Sequence, residues 1–234
     1  MSLWHAQTSM SRPPERQVER DRMVDEQIVA RGIKSETVTS AMRQVPRHRF
    51  VLSSHQLEAY EDYPLSIDYH QTISQPYIVA LMTEALALES KSKVLEIGTG
   101  CGYQTAVLAH IVDRVFTIEI VAPLARRADS ILHELQFDNI SVRVGDGYQG
   151  WPEEGPFDAI ILTAAPESVP DPLLEQLQIG GRFILPLGGT SQTLVLFHRT
   201  ERGLVQRQIL AVSFVPMTGQ AQTGSSSNRN NDPP

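Results

Sequence analysis

The sequence predicts a doubly wound α/β fold, in which a mostly parallel sheet has helices on both faces. Short apolar runs alternate with helical patterns from Lys93 onward, and repeated strand–helix–strand units give a parallel sheet. The run at 157–163 is almost wholly apolar, as expected of a strand that is buried on both faces. A glycine-rich loop follows the first run and opens a helix. Ligands of such sheets bind beyond the carboxyl ends of the strands, so functional residues are expected there.

An added N-terminal helical segment is expected at residues 16–60. Gly32 is typical of a helix end, and Ser35 can then begin a second helix as its N-cap. The apolar face of this second helix is formed by Val38, Ala41, Met42 and Val45. Residues 71–80 are expected to be a short extended segment that enters a further helix at Pro76.

Seven strands are expected in the sheet. The first five are expected at 94–97, 115–120, 140–144, 157–163 and 183–187. Two more runs, 193–198 and 205–215, are separated by Gly203 and predict a C-terminal β-hairpin. Helices are expected at 103–111, 123–135 and 170–177. Gly180 and Gly181 are expected to close the last of these helices.

The chain is predicted to form a single domain at 16–219. We divide this domain into an N-terminal helical and substrate-site segment at 16–90 and a cofactor-binding sheet at 91–219. Residues 1–15 and 220–234 are polar or low in complexity, so they are predicted to be disordered tails.

Composition and charge argue against several classes of protein. Hydrophobic residues make up 41% of the chain and charged residues 20%, which is ordinary for a soluble globular protein. The net charge of −7 argues against a nucleic-acid partner, because a phosphate-binding surface needs clustered Lys and Arg. No apolar run is long enough to span a membrane and no signal peptide is evident, so a cytoplasmic protein without membrane contact is predicted. The seven histidines show no metal-ligand spacing, and no metal is predicted.

The loop Glu96–Gly102 reads E-I-G-T-G-C-G, and its glycines permit a tight turn and a close approach of backbone to ligand. The dinucleotide fingerprint is G-x-G-x-x-G, whereas here Tyr103 stands where the third dinucleotide glycine would be. Glu119 ends the second strand, where a carboxylate can accept hydrogen bonds from both ribose hydroxyls. Asp146–Gly147 follows the third strand, where an adenine can be bound. The alternative is that the glycines only form a turn and that both acids are solvated.

The loop and the two strand-end acids resemble the cofactor site of class I S-adenosylmethionine-dependent methyltransferases, whose cofactor is a sulfonium cation without phosphate. The resemblance implies a Rossmann-like methyltransferase sheet, S-adenosyl-L-methionine as cofactor and S-adenosyl-L-homocysteine as product. Glu96 would then face the methionine part of the cofactor, either directly or through a water molecule. The implied cofactor-binding residues are Glu96, Gly98, Thr99, Gly100, Gly102, Tyr103, Glu119, Asp146 and Gly147. Cys101 is expected to be only a small spacer between two glycines.

A second motif, Q-T-I-S-Q-P-Y at Gln71–Tyr77, lies before the sheet. From residue chemistry alone, the favoured role of Ser74 is to cap the helix that begins at Pro76, which is worth about 1 kcal/mol. The motif closely resembles the signature of protein-L-isoaspartate O-methyltransferases, and so does F-V-P at 214–216. The resemblance covers about residues 20–219, and generic methyltransferases lack both motifs.

This family resemblance implies a protein-repair reaction, in which a methyl group is moved to the α-carboxylate of L-isoaspartyl residues in damaged proteins and peptides. The methyl ester then closes to a succinimide that reopens partly to normal aspartate. By the same resemblance Ser74 would be the active-site serine, while Thr72 and Ile73 would help to form the substrate pocket. Val215 would contact the substrate through its backbone. A monomer is expected, because the substrate is itself a protein or peptide.

Three positions depart from the family pattern. Asp68 and His70 stand where glycines are expected, and Ser213 stands where arginine often precedes F-V-P. Asp68 adds negative charge near a site for a carboxylate, which His70 can offset. These departures leave open a methyltransferase for another carboxylate or a small molecule. A non-catalytic protein that binds the cofactor is a second alternative, and a nicotinamide dehydrogenase is the weakest.

Overall fold

The computed structural model describes residues 15–223. A two-stranded hairpin, β1 (Leu65–Ser66) and β2 (Thr72–Ile73), precedes the main sheet. The main sheet has seven strands: β3 (Lys93–Ile97), β4 (Arg114–Glu119), β5 (Ile140–Val144), β6 (Phe157–Leu162), β7 (Leu177–Leu187), β8 (Gln192–Thr200) and β9 (Gly203–Val212). The predicted seven-stranded sheet with a C-terminal hairpin is therefore confirmed.

The strand order across the sheet is β5-β4-β3-β6-β7-β8-β9. Strands β3 to β7 pair in parallel, whereas β8 pairs antiparallel to β7 and β9 antiparallel to β8. The chain builds outward from β3 to one side through β4 and β5, and then returns to add β6 on the other side. This reversal makes the carboxyl ends of β3 and β6 the topological switch point, where ligands of such sheets bind.

The N-terminal helical segment consists of α1 (Gln17–Met23), a π-helical turn at Val24–Ile28, a 3₁₀ turn at Val29–Arg31 and α2 (Glu36–Gln44). Gly32 ends the 3₁₀ turn with a φ of +96°, as the sequence predicted. Ser35 caps α2, because its side chain accepts a hydrogen bond from the Val38 backbone N–H. The predicted apolar face of α2, with Val45 beside it, is buried.

The other α-helices of the described chain are α3 (Pro76–Ala85), α4 (Tyr103–Ala109), α5 (Ala122–Glu134), α6 (Asp171–Glu175) and α7 (Gln220–Thr223), of which α7 is a single turn. The sheet has an apolar core on each face. One core includes Met23, Met42, Val79, Val107 and Leu124 from α1 to α5. The other includes Ile118, Phe157, Leu173, Phe183 and Phe197.

Two predicted boundaries were wrong. Gly180 and Gly181 do not close a helix: α6 ends at Glu175, and both glycines lie inside β7. There the pairing of β6 with β7 shifts register, and Gly180 has a φ of +87°, which is typical of a glycine at a bulge. The predicted tail at 220–234 begins with the ordered turn α7, since the Gln220 N–H donates to a carboxylate oxygen of Asp146 at 2.7 Å. Residues 1–14 and 224–234 lie outside the described part of the chain.

No helix within residues 15–223 is both long enough and apolar enough to cross a membrane.

Candidate active site

The glycine loop after β3 has the backbone geometry that only glycine adopts readily. Gly98, Gly100 and Gly102 have φ values of +97°, +56° and +91°. A Cβ on Gly98 would collide with the Thr163 hydroxyl, which donates to the carbonyl of Gly98 at 2.6 Å. Thr163 directly follows β6. The loop is therefore fitted against the neighbouring strand end at the switch point.

Glu119, the last residue of β4, holds the glycine loop from the other side. Its Oε2 accepts a hydrogen bond from the Gly100 N–H at 2.8 Å, and its Oε1 accepts one from the Val121 N–H at 2.9 Å. The side chain is largely buried. Glu119 is therefore a fixed carboxylate beside the loop rather than the solvated acid of the alternative interpretation.

Asp146 follows β5 and is also held by backbone donors. Its Oδ1 accepts from the Tyr148 N–H at 2.9 Å, and its Oδ2 accepts from the Gln220 N–H. Beside it, Gly147 lies so close to Ile97 that a Cβ there would collide with that side chain. Asp146 remains exposed at the edge of the site while it connects β5 to the C-terminal turn α7.

Glu96 does not face the site as the resemblance implied. Its side chain is fully buried behind the glycine loop, where one oxygen accepts from the hydroxyls of Thr105 at 2.5 Å and Thr117 at 2.6 Å. Burial raises the pKa of Glu96 from its ordinary value of 4.5 to about 8, and the two threonine hydrogen bonds oppose this rise. Because the Thr117 hydroxyl donates its hydrogen bond to Glu96, it accepts one from the Thr99 hydroxyl, at 2.6 Å. Glu96 is thus connected to the glycine loop through the hydroxyls of Thr117 and Thr99 and does not contact the site directly.

Another wall of the site comes from the hairpin β1–β2 and the residues that follow it. Ser74 lies between β2 and α3, and Gln75, not Ser74, is at the N-cap position of α3. Helix α3 has no side-chain cap, and Ser74 Oγ forms no hydrogen bond with any described residue. The capping role that residue chemistry favoured is therefore wrong, and the Ser74 hydroxyl is available for a ligand.

A third wall is formed by the segment 215–218 after β9. The Val215 carbonyl accepts a hydrogen bond from the Ala165 N–H at 2.8 Å, and the Met217 N–H donates to the Ala165 carbonyl at 2.8 Å. These bonds hold the segment beside the loop that follows β6. Val215 and Pro216 of the F-V-P motif thus line the same cavity as Ser74, although they are far apart in sequence.

These walls enclose one cavity, which we call the cofactor cleft, with about 830 Å³ of empty space that is partly open to solvent. Eleven of the predicted site residues line it: Thr72, Ile73, Ser74, Gly98, Thr99, Gly100, Tyr103, Glu119, Asp146, Gly147 and Val215. Glu96 and Gly102 do not. Gly102 instead begins α4 and lies against α5, where a Cβ would be 3.2 Å from that of Ala128.

Several lining residues escaped the sequence analysis, namely Gln71, Val79, Gln104, Ile120, Val121, Thr163, Ala164, Met217 and Thr218. Thr163 and Ala164 follow β6, so the strand-end rule that singled out Glu119 could have found them. The charged residues in the cofactor-cleft lining are Glu119 and Asp146, both acidic. No metal-binding cluster of His, Cys, Asp or Glu occurs within residues 15–223.

Cys101 also lines the cofactor cleft but is almost fully buried. Burial raises the pKa of its thiol to about 11, so the thiol stays protonated at neutral pH. A protonated thiol is a weak nucleophile, which is consistent with the expected spacer role.

The family of the chain follows from comparison with known proteins. The sequence model of the protein-L-isoaspartate(D-aspartate) O-methyltransferase family (PCMT) matches residues 18–222. The chain belongs to this family. Among curated members, the protein-L-isoaspartate O-methyltransferase of Picosynechococcus sp. is 54% identical over 202 residues, which cover 86% of this chain and 91% of that protein.

Solved structures of the family have the same fold. One protein-L-isoaspartate O-methyltransferase structure superposes with a TM-score of 0.79 at 29% identity, covering 88% of this chain and 67% of that one. A structure from Plasmodium falciparum, described as a putative member in complex with S-adenosyl-L-homocysteine, gives a TM-score of 0.75 at 25% identity. It covers 85% of this chain and 98% of that one. The Rossmann-like methyltransferase fold is thus confirmed for this family member.

Proposed function

We propose that this protein uses S-adenosyl-L-methionine to methylate the α-carboxylate of L-isoaspartyl residues in damaged proteins and peptides. As a family member the chain is a protein-L-isoaspartate O-methyltransferase, a repair enzyme. The observation that carries the proposal is the free hydroxyl of Ser74 in the lining of the cofactor cleft, which the glycine loop also lines.

The cofactor cleft fits this cofactor. Among the described residues, two carboxylates and no lysine or arginine line it, which suits a sulfonium cation and not a pyrophosphate. We assign the ribose to Glu119 and the adenine to the loop Asp146–Gly147, with Gly98–Gly100 allowing close approach of the backbone. When bound, S-adenosylmethionine supplies an activated methyl group. Glu96 would act on the cofactor only through Thr117 and Thr99.

Acid–base chemistry is not required of the protein. A carboxylic acid with a pKa of about 4 is already ionised at pH 7, so the substrate needs no general base. What the protein contributes is orientation of the carboxylate and removal of water, and positioning of this kind can supply roughly 7–11 kcal/mol. Ser74 Oγ would donate a hydrogen bond to one carboxylate oxygen, while Thr72, Ile73 and the Val215 backbone hold the substrate.

The activity is tested by methyl transfer from labelled S-adenosylmethionine to a peptide that contains L-isoaspartate, with the matching L-aspartate peptide as control. We expect base-labile label on the isoaspartyl peptide alone. Cofactor binding by calorimetry without any transfer would instead support a non-catalytic cofactor-binding protein, or an enzyme for another substrate.

Two variants separate the roles within the cofactor cleft. We expect Ser74→Ala to leave the dissociation constant of S-adenosylhomocysteine nearly unchanged and to lower kcat by about tenfold or more, because a hydrogen bond to a charged group is worth about 1.5–3 kcal/mol.

Glu119→Ala should weaken S-adenosylhomocysteine binding at least about tenfold, since the loop loses its fixed carboxylate. Both constants are measured by calorimetry and steady-state kinetics. Loss of cofactor affinity in Ser74→Ala would make Ser74 a structural residue.

The remaining assignments are also proposals. We assign the protein to the cytoplasm as a monomer, without nucleic-acid or membrane partners. The acidic net charge of −7 supports the absence of a nucleic-acid partner, since phosphate binding needs clustered basic residues. Sedimentation of the purified protein at several concentrations tests the monomer.

A further inference from the structure

A second cavity adjoins the cofactor cleft on the substrate side. This cavity, which we call the outer groove, lies between Arg31, Tyr77 and the segment 210–214, and it has about 1250 Å³ of empty space open to solvent. It shares Thr72, Ser74 and Thr163 with the cofactor cleft, so Ser74 stands where the two cavities meet. A peptide whose carboxylate reaches Ser74 therefore has its flanking residues in or beside the outer groove.

The charges of the two cavities are opposite. Among the described residues that line the outer groove, Arg31 is the single charged side chain, whereas the charged residues of the cofactor cleft are Glu119 and Asp146. An incoming carboxylate is repelled by the acids of the cofactor cleft. Arg31 is the cation placed at the entrance to donate hydrogen bonds to an anionic group, although its ion pair with Asp62 offsets part of its charge.

Arg31 is held in a fixed orientation by two contacts. Its guanidinium carbon lies 3.5 Å from the centre of the Tyr77 ring, and its Nη1 donates to Asp62 Oδ2 at 2.7 Å. Asp62 uses one of the five N–H donors of the guanidinium, and no other described residue accepts from the remaining four. The side chain is 43% exposed, so its free donors are accessible to a ligand. Because the group is already ordered, less side-chain entropy is lost when a carboxylate binds.

We propose that Arg31 is a specificity-determining residue, which favours isoaspartyl substrates that carry a second carboxylate on a residue flanking the damaged one. The inference rests on the proposed function, because it assumes that the isoaspartyl carboxylate binds at Ser74. It concerns which substrates are preferred and leaves the methyl-transfer step itself unchanged.

The test uses isoaspartyl peptides that differ only in one neighbour, which is Glu, Gln or Lys, placed before or after the isoaspartate. In the wild-type protein we expect one of the two Glu peptides to have a KM about three- to tenfold below that of the peptide with Gln at the same position. The kcat values of these two peptides should be similar. Salt at about 0.5 M should reduce this difference, because exposed charges are screened. Equal KM values within both Glu–Gln pairs would overturn the proposal.

Matched variants locate the effect at Arg31. Arg31→Gln should raise the KM of the preferred Glu peptide to that of its Gln match and leave the Gln peptide unchanged, whereas Arg31→Lys should retain part of the preference. Arg22→Gln is the control, because Arg22 is also an exposed arginine paired with an acid, Glu26, but lines neither cavity. A Glu preference that persists in Arg31→Gln would also overturn the proposal.

The same measurements separate this inference from the proposed function. Methylation of the Gln peptide by Arg31→Gln at the wild-type kcat shows both that the variant is folded and that the methyltransferase activity does not depend on Arg31. Binding of fluorescent Glu and Gln peptides in the presence of S-adenosylhomocysteine gives a second readout without turnover, in which Arg31→Gln should lose the same three- to tenfold difference. No methylation of any peptide would refute the proposed function instead.

Discussion

Asp68, Tyr69 and His70 have φ values of +79°, +52° and +58°, which place three consecutive non-glycine residues in the left-handed region. They form the turn of the hairpin β1–β2, and Asp68 and His70 occupy the positions at which the resemblance led us to expect glycine. A left-handed conformation costs a non-glycine residue roughly 1–2 kcal/mol. The turn therefore carries strain next to Gln71 and Thr72, which line the cofactor cleft.

The charge of Asp68 is offset differently from what the sequence suggested. Its Oδ2 lies 3.6 Å from Arg127 Nη1 on α5, and no ion pair with His70 is found among the described residues. Both partners are partly exposed, so this pair is worth at most about 1 kcal/mol. The added negative charge is thus directed towards α5.

His70→Gly tests the strain at this turn. We expect the free energy of unfolding to stay unchanged or to rise by up to about 1 kcal/mol, because relief of the left-handed strain offsets the extra chain entropy of glycine. Asp138→Gly is the control, since Asp138 is an exposed loop residue without a positive φ, and it should lose about 0.5–1 kcal/mol. Urea unfolding measures both. Equal destabilisation by the two changes would mean that position 70 is not strained.

At the scale of elements, the start of α4 is determined by its packing against α5. Gly102 is the residue before α4, and it was predicted as a cofactor ligand from its place in the glycine loop. The structure gives it a different role, because its Cα faces Ala128 and Leu132 of α5. The glycine spacing alone could not separate a residue that approaches a ligand from one that approaches a helix.

Gly102→Ala tests this packing. The variant should lose about 1–3 kcal/mol of stability, because the left-handed strain is joined by a Cβ contact of 3.2 Å with Ala128. Gly32→Ala is a matched control: Gly32 has nearly the same φ, +96° against +91°, but nothing lies within 4 Å of the added Cβ. Thermal unfolding should show the larger loss in Gly102→Ala, and equal losses would remove the helix contact as the cause.

Other elements show which sequence signals succeeded. Strand β5 was predicted at 140–144 and lies there, since its apolar residues alternate with polar ones and turn residues follow it. The first part of the N-terminal segment carries Val18, Met23, Ile28 and Val29 at a loose helical spacing, and only part of this set is buried: Met23 and Ile28 are buried, but Val18 is 82% exposed. Val18 and Met23 both lie in α1 but are not three or four residues apart, so they face different sides of this helix.

At the scale of the whole molecule, the site residues that could be predicted are those that lie at strand ends or in recognisable motifs. Glu119, Asp146 and the glycine loop follow from the parallel topology, and Ser74 and Val215 from the family resemblance. The position of Glu96 could not be predicted. Side chains alternate between the two faces of β3, and the sequence does not show which of these faces lies behind the glycine loop. Arg31 could not be found either, since its place beside Ser74 depends on the packing of the N-terminal segment on the sheet.

Buried Glu96 should make the stability of the molecule depend on pH. Below about pH 4.5 the group is protonated in both states. Between about 4.5 and 8 it ionises only in the unfolded chain, because burial raises its pKa in the native state, so stability falls as pH rises through this window.

Glu96→Gln removes this titration. The stability of the variant relative to wild type should therefore increase from pH 5 to pH 8, by an amount on the order of a few kcal/mol, since each pKa unit corresponds to about 1.4 kcal/mol. Urea unfolding at pH 5, 6.5 and 8 checks it. A difference between the two proteins that does not change with pH would show that Glu96 titrates normally.

The cofactor cleft takes its walls from parts of the chain as distant as Gln71 and Thr218. Ribosomes make the chain from the N-terminus, so the glycine loop, Glu119 and Asp146 exist well before the wall at 215–218 is synthesised. A nascent or prematurely terminated chain can therefore carry the residues assigned to the cofactor while it still lacks the Val215 backbone assigned to the substrate. On the proposed assignment, such a chain lacks one wall of the cofactor cleft and part of the substrate site.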